Sequence, residues 1–232
     1  MALRINEIFY SIQGEGRFMN VPTVFVRFQG CNLPPRGCSW CDTKYAQREG
    51  GSDLTVDEIL GHTCFVAAKP LNSTGRKHVC ITGGEPLSHA EDVRTLIRCI
   101  HSRECAEVEI FTNGTLPVPS WCNLVASFVV DIKCPSSGVE SVCVSDWFKM
   151  RCCDQVKFVV ANKDDIRYVR SLHPEATCRP EVIISPMIPL SSHPLDTEEL
   201  EWARYVIGFC KEYGYRFSWQ QHKLLYGNKR GV

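Results

Sequence analysis

Apolar residues recur along this chain with two distinct periods. Strand-length runs rich in Ile, Val, Phe and Tyr occupy 5–12, 22–28, 78–82, 107–112, 126–132, 155–160, 181–185 and 215–219. Between several of them the apolar positions fall at helical spacing. One such stripe is Val56, Ile59, Leu60, Cys64 and Ala67; a second is Val93, Leu96, Ile97 and Ile100; a third is Leu200, Ala203, Val206, Ile207 and Cys210. Each stripe follows a capping-box pair, Thr55 with Glu58, Ser88 with Glu91 and Asp196 with Glu199, which predicts where the helix opens. A weaker helical pattern covers 162–172, with Asn162 as its cap. Strands alternating with helices predict an α/β fold of mostly parallel strands with covering helices, an open sheet or a partial, incomplete TIM-like barrel. No repeat or low-complexity linker interrupts the pattern, so residues 1–232 read as a single domain. A chain of this length can bury roughly 70–75% of its unfolded surface.

Sites in such folds lie beyond the C-terminal ends of the strands, so the polar residues there carry the functional information. The 78–82 run ends in Thr82-Gly83-Gly84-Glu85-Pro86, with Glu85 expected to accept from an ammonium group. Later runs end in Thr112-Asn113-Gly114-Thr115, Asp131-Ile132-Lys133, Lys157 and Ser185-Pro186-Met187. Each alone is an ordinary turn; together they ring one face with polar groups. The first two strands are joined through Gln13-Gly14-Glu15-Gly16, where two glycines let the backbone approach a ligand. Arg27, among apolar neighbours on the second strand, either faces solvent or presents its planar fork to a carboxylate.

Charge narrows the partners. The 26 Lys and Arg balance 26 Asp and Glu, and no long basic block exists, which favours a small-molecule pocket over nucleic acid. Arg4 and Glu7 interrupt any signal-like apolar run at the N-terminus, and no window reaches the roughly 18 apolar residues of a membrane span. A cytoplasmic protein without membrane contact is therefore expected. Fourteen cysteines are about 6% of the chain, below the roughly 8–10% of a disulfide scaffold, so most should be thiols.

Three of those thiols, Cys31, Cys38 and Cys41, stand in the loop Gly-Cys-Asn-Leu-Pro-Pro-Arg-Gly-Cys-Ser-Trp-Cys-Asp-Thr from Gly30 to Thr43. A closed zinc site or an ordinary iron-sulfur cluster takes four protein ligands. Three thiolates on a four-iron cluster would leave one iron open to the amino and carboxylate groups of S-adenosylmethionine. The competing reading is a zinc-stabilised binding module whose fourth ligand is a distant Cys or His. Cys64, Cys80, Cys99 and Cys210 fall on apolar faces and read as small buried hydrophobes. Cys122, Cys134, Cys143, Cys152, Cys153 and Cys178 lack metal-pair spacing. His222, in an aromatic-flanked tail, is either packed or a pocket donor, and packing is the simpler reading.

The three cysteines, the aromatic Trp40 before the last of them and Gly83-Gly84-Glu85 after the next strand resemble the radical S-adenosylmethionine superfamily. The leader Phe9-Tyr10-Ser11-Ile12-Gln13-Gly14-Glu15-Gly16, with Arg27 to Leu33 and Cys41-Asp42-Thr43, is more narrowly similar to the 7-carboxy-7-deazaguanine synthase family. The C-x6-C-x2-C spacing departs from the superfamily's usual C-x3-C-x2-C. Within the superfamily, the competing assignment is a glycyl-radical-enzyme activase.

The narrower resemblance implies a lyase. A 5'-deoxyadenosyl radical abstracts hydrogen from 6-carboxy-5,6,7,8-tetrahydropterin, the ring contracts to 7-carboxy-7-deazaguanine, and ammonia leaves, on the way to queuosine or archaeosine. It implies a 4Fe-4S cluster on Cys31, Cys38 and Cys41, S-adenosyl-L-methionine, and Mg2+ on Thr43. It places the pterin against Ile12, Gln13, Gly14, Glu15, Arg27, Thr82 and the terminal Val232. It places S-adenosylmethionine against Trp40, Gly84, Asp131, Ile132, Lys133, Ser185, Pro186, Met187 and Ile188. A homodimer and an electron-donor protein such as flavodoxin or ferredoxin complete what the resemblance implies.

Overall fold

The computed structural model describes residues 2–33, 37–48, 50–139, 145–172, 180–189, 195–227 and 229–231. In chain order the elements are β1 (Ala2–Ile12), β2 (Pro22–Phe28), β3 (Ser52–Thr55), α1 (Val56–Leu60), α2 (Thr63–Ala67), β4 (Lys77–Gly83), α3 (Ala90–Arg103) and β5 (Ala106–Thr112). Then come β6 (Ser127–Ile132), β7 (Gln155–Val160), α4 (Lys163–Ser171), β8 (Glu181–Pro186), α5 (Thr197–Tyr213), β9 (Arg216–Phe217) and α6 (Gln221–Tyr226). Among the described residues the strands form one nine-stranded open sheet, ordered β3-β1-β2-β4-β5-β6-β7-β8-β9. From β2 through β4 to β9 all neighbours are parallel, while β1 runs antiparallel to both β2 and β3. The incomplete barrel is therefore an unclosed, mostly parallel sheet, and its parallel strand ends point to one rim.

The parallel strands are legible as Val-, Ile- and Phe-rich runs because most of their positions, on both faces, are buried. Every residue of β7 is buried, Lys157 included. Helix α3 buries Val93, Leu96, Ile97 and Ile100, each side chain contributing about 1.5–3 kcal/mol when fully removed from water.

Three predicted helix openings are realised, the first by Thr55 and Glu58, which close a reciprocal capping box on α1. Asp196 and Glu199 close a reciprocal capping box on α5, and the Asn162 side chain accepts from the backbone of Asp164 and Asp165. Two other helix predictions are corrected. The stripe after Thr55 does not run unbroken to Ala67: α1 ends at Gly61, His62 is extended, and its ring accepts from Cys64 N–H to open α2. Ser88 does not cap α3, because Glu85 instead accepts from Leu87 N–H and holds Pro86–His89 in a 3-10 turn, which delays the helix to Ala90. The 215–219 run shortens to β9. Strand β3, the polar Ser-Asp-Leu-Thr edge on Ala2–Ile5, carries too little apolar signal to be predicted.

His78 on β4 supplies a pH prediction. It is 1% exposed, and its Nδ1 lies 2.7 Å from the Thr23 hydroxyl, which itself donates to Val21 O. Nδ1 is thus the donor to Thr23, and Nε2 is buried without a partner. Burial lowers the His78 pKa to about 4 from 6.5. The unfolded chain then binds the proton more readily, so this contribution is full above pH 6.5 and is lost as pH falls toward 4. Urea unfolding should show about 2 kcal/mol less stability at pH 5 than at pH 7.5 from this group. The variant His78→Gln should reduce that difference by the same amount; an identical pH dependence would remove His78 as its source.

Candidate active site

A cavity of about 300 Å³ opens at the strand rim. Its wall takes Thr82 and Gly83 from β4, Phe111 and Thr112 from β5, Asp131 from β6 and Lys157 from β7. From the other direction β1 and β2 add Phe9, Ile12, Phe25 and Arg27. The three loop cysteines all face this cavity.

The cysteine loop is held there by backbone bonds on both flanks. Gly30 N–H donates to Ala46 O at 2.8 Å, Cys31 N–H to Gln47 O at 2.9 Å, and Ser39 N–H to Ser137 O at 2.9 Å. The Gly-Gly turn follows from the same packing. Glu85 N–H donates to Gly30 O at 2.8 Å, so the end of β4 lies directly against the loop. A Cβ on Gly84 would collide with the carbonyls of Gly30 and Ala46, and one on Gly83, whose φ is +155°, with that of Phe28. Asn113 joins in, its amide donating to Asn32 Oδ1 at 2.9 Å while its backbone N–H donates to Glu85 Oε2 at 2.7 Å.

Glu85 is therefore mainly a brace. It is fully buried, and its other oxygen accepts from Leu87 N–H at 2.9 Å and the Thr112 hydroxyl at 2.8 Å. Burial raises its pKa. These contacts fix Glu85 in the cavity wall beside the cysteine loop.

The donor set fits an iron-sulfur cluster. Burial pushes the Cys38 thiol up to about 11 and raises that of Cys31, so in the bare chain both are protonated and metal must displace their protons. Thr43 N–H approaches Cys41 Sγ at 3.4 Å. Among the described residues no three Cys, His, Asp or Glu side chains gather closely enough to hold a single ion. A cluster, which spreads its thiolates over several irons, does not need them to. Lys133 lies beside these thiols; burial works against its charge, but Asp131, at 2.7 Å, and the cysteines raise its pKa overall. Asp131 Oδ1 is buried without a partner in the same wall, an acceptor free for a ligand hydroxyl or ammonium.

Further polar groups face the cavity. Glu15 pairs with Lys157 at 2.8 Å; burial opposes its charge, yet Lys157 and the nearby cations lower its pKa, and its Oε1 has no partner. Gln13 donates to Glu109 Oε2 at 2.9 Å beneath it, and burial raises Glu109 to about 8, so that carboxyl is held neutral. Next to Cys41, Asp42 accepts from the Thr43 hydroxyl at 2.7 Å and lies 3.4 Å from His222 and 3.6 Å from Lys223. Burial opposes its charge too, but these partners hold it well below the usual carboxylate range. His222 thus lines the cavity instead of packing in the core, which corrects the simpler reading.

The cavity wall gathers Ile12, Gln13, Gly14, Glu15, Arg27, Thr82, Trp40, Gly84, Asp131, Lys133 and Thr43 with the three cysteines. Ile132 instead turns into the core, 1% exposed. Ser185, Pro186, Met187 and Ile188 stand at the end of β8 outside this wall, Ser185 with a buried, unpartnered hydroxyl. Val232, Cys143 and Cys178 fall outside the described residues, as do the extra loop positions 34–36. Asp42, Tyr45 and Lys223, in the wall, escaped the sequence reading; only the position of Asp42 directly after Cys41 hinted at its place.

An open, mostly parallel sheet with three thiols at the rim of its cavity defines a radical S-adenosylmethionine protein, and residues 25–133 match the family model described as the radical SAM superfamily. A 7-carboxy-7-deazaguanine synthase from Methanospirillum hungatei JF-1 is 39% identical over 80% of this chain and 73% of its own length. That of Pyrobaculum aerophilum is 32% identical over 99% of this chain and 97% of its own. The crystal structure of QueE from Escherichia coli superposes with a TM-score of 0.67 at 25% identity, covering 96% and 95% of the two chains. The chain belongs to the 7-carboxy-7-deazaguanine synthase family. Membership of the superfamily carries a 4Fe-4S cluster and S-adenosylmethionine as cofactors, with a small-molecule substrate and a source of electrons. Among the described residues no helix is long and apolar enough to cross a membrane.

Proposed function

We propose that this chain converts 6-carboxy-5,6,7,8-tetrahydropterin to 7-carboxy-7-deazaguanine with loss of ammonia. The observation that carries the reading is the convergence of three thiols, Arg27 and the Gln13-Gly14-Glu15 turn on one cavity. When bound, the cluster supplies the electron for reductive cleavage of S-adenosylmethionine. The chain's own residues do the rest. Cys31, Cys38 and Cys41 hold the cluster; Trp40, Gly84, Asp131 and Lys133 receive S-adenosylmethionine, with Ser185 to Ile188 bordering it. Gln13, Glu15 and Thr82 orient the pterin ring, and Arg27 pairs with its carboxylate.

Thr43 is the proposed magnesium ligand. Its proton is committed to Asp42, so its oxygen keeps lone pairs for a hard cation. The substitution Thr43→Val removes that donor at nearly constant volume. Iron content should survive while magnesium stimulation of turnover disappears, and an unchanged magnesium response would remove Thr43 as a ligand. The reading extends to one domain, a cytoplasmic location, a homodimer and a flavodoxin- or ferredoxin-type electron donor.

The function is tested by anaerobic incubation of reconstituted protein with reductant, S-adenosylmethionine and the carboxylated pterin. Mass spectrometry should find the deazaguanine acid and ammonia in equal amounts. Cleavage of S-adenosylmethionine without that product would overturn the substrate assignment.

A further inference from the structure

We propose that Glu7 is a positioning residue that sets the Arg27 fork and, through Arg230, ties the C-terminal residues to the same anchor. Two guanidinium groups then share one carboxylate and leave a positive charge for an anionic substrate group. The inference rests on the reading of Arg27 given above.

Glu7 and Arg27 face each other across the β1–β2 ladder, just past its irregularity between Ile5 and Glu7. Glu7 Oε1 accepts from Arg27 Nε at 2.7 Å and from the Tyr45 hydroxyl at 2.9 Å. Burial, the largest influence, raises the Tyr45 pKa, which keeps that phenol a donor. The other Glu7 oxygen lies 3.7 Å from Arg230 Nη2. Arg230 also donates to Asn6 Oδ1 at 3.2 Å, and its guanidinium carbon stands 3.6 Å from the Tyr45 ring centre. The Glu7 and Arg27 side chains are only 16% and 15% exposed, so solvent screens this pair weakly.

The geometry restricts how Arg27 can bind. Its guanidinium lies 5.7 Å from the Phe9 ring and 5.9 Å from that of Tyr45, which limits its rotation. With Nε engaged by Glu7, the edge left for a bidentate partner is the one formed by the two terminal amines, and Arg27 belongs to the cavity wall. One carboxylate against two guanidinium groups leaves a surplus of positive charge there, which an anionic group on the substrate would neutralise.

The test measures anaerobic dissociation constants by equilibrium dialysis on the reconstituted full chain. The probes are the carboxylated pterin and the same pterin without its carboxylate. The substitution Glu7→Gln replaces the charge-assisted anchor of Arg27 Nε, the Tyr45 hydroxyl and Arg230 by an amide that accepts through one atom only; because the same change makes the wall more positive, a loss of affinity can come only from a mispositioned fork. It should weaken the carboxylated pterin about tenfold and the other ligand by less than about twofold. Arg230→Ala should weaken only the carboxylated ligand. The double variant Glu7→Gln with Arg27→Ala should bind no more weakly than Arg27→Ala alone, because one acts through the other.

Equal losses for both pterins, no loss, or additive losses in the double variant would overturn the proposal. Should Glu7→Gln fail to fold, Tyr45→Phe carries the test, with a smaller loss confined to the carboxylated ligand expected and an equal or absent loss overturning it. If Arg27→Ala discriminates between the pterins as the parent does, the carboxylate reading falls and this inference with it. If Arg27→Ala loses discrimination while Glu7→Gln keeps it, this inference alone fails.

Discussion

Replacing Cys31, Cys38 and Cys41 together by alanine is expected to leave a folded protein that retains no iron or sulfide after reconstitution. Each single substitution should abolish stable loading as well, because a cluster already short of one protein ligand cannot spare another. Burial keeps Cys38 and Cys31 protonated in the bare chain, so the iron must recover the cost of removing those protons. That recovery needs all three thiolates at once. Folding should be little affected: the loop is fixed mainly through backbone bonds of Gly30, Cys31 and Ser39, which alanine preserves. The remaining cysteines serve as an internal control. Cys210 is buried in the hydrophobic core, away from the cavity wall, so alanine there should cost stability while sparing the cluster. Iron and sulfide assays with visible absorbance decide the matter; a full complement in the triple variant would discard the ligand assignment.

The fold was legible where burial imposes a pattern. Strands β4 to β8 are largely buried on both faces, so each keeps a core of Val, Ile or Phe that stands out even where buried polar residues such as Glu109 and Lys157 interrupt it. Edge elements carry no such demand, and β3 was invisible for that reason. The break at Gly61 was also hidden, since the apolar stripe continues at the same spacing through α2 while the backbone between them becomes extended.

The site was legible where one segment carries several functional groups. The cysteine loop and the Gly-Gly turn are contiguous, and their contact explains why both glycines are needed. Groups from distant segments were legible where a strand end or the family's motif marked them, as for Arg27, Thr82, Asp131 and Lys133, but their partners were not. Glu7, Arg27, Tyr45 and Arg230 meet only because β1 pairs with β2 and the chain end returns beside them. Nothing in the local pattern of Glu7 distinguishes a buried partner from a solvated charge. The same holds for Lys223, 3% exposed, which reaches Asp42 from α6.

Arg27→Ala should raise the dissociation constant of the carboxylated pterin by about 10- to 150-fold, the equivalent of the roughly 1.5–3 kcal/mol assigned to a charge-assisted bond. The sequence left open whether Arg27 faces solvent; at 15% side-chain exposure and in the cavity wall, it does not. Its loss leaves Glu7 with the Tyr45 hydroxyl at 2.9 Å and Arg230 at 3.7 Å, so the carboxylate keeps partners and the fold should survive. Arg27→Lys should recover only part of the affinity. An ammonium at this position can pair with Glu7 or with the substrate, but it lacks the planar fork that serves both. Affinity for S-adenosylmethionine should stay near that of the parent, because its proposed contacts, Asp131 and Lys133, come from β6 and its end rather than β2. Dissociation constants for both ligands, measured on protein of equal iron content, separate these outcomes. An Arg27→Ala protein that binds the carboxylated pterin as tightly as the parent would show that Arg27 serves the scaffold alone, and the substrate carboxylate would have to be sought elsewhere in the wall.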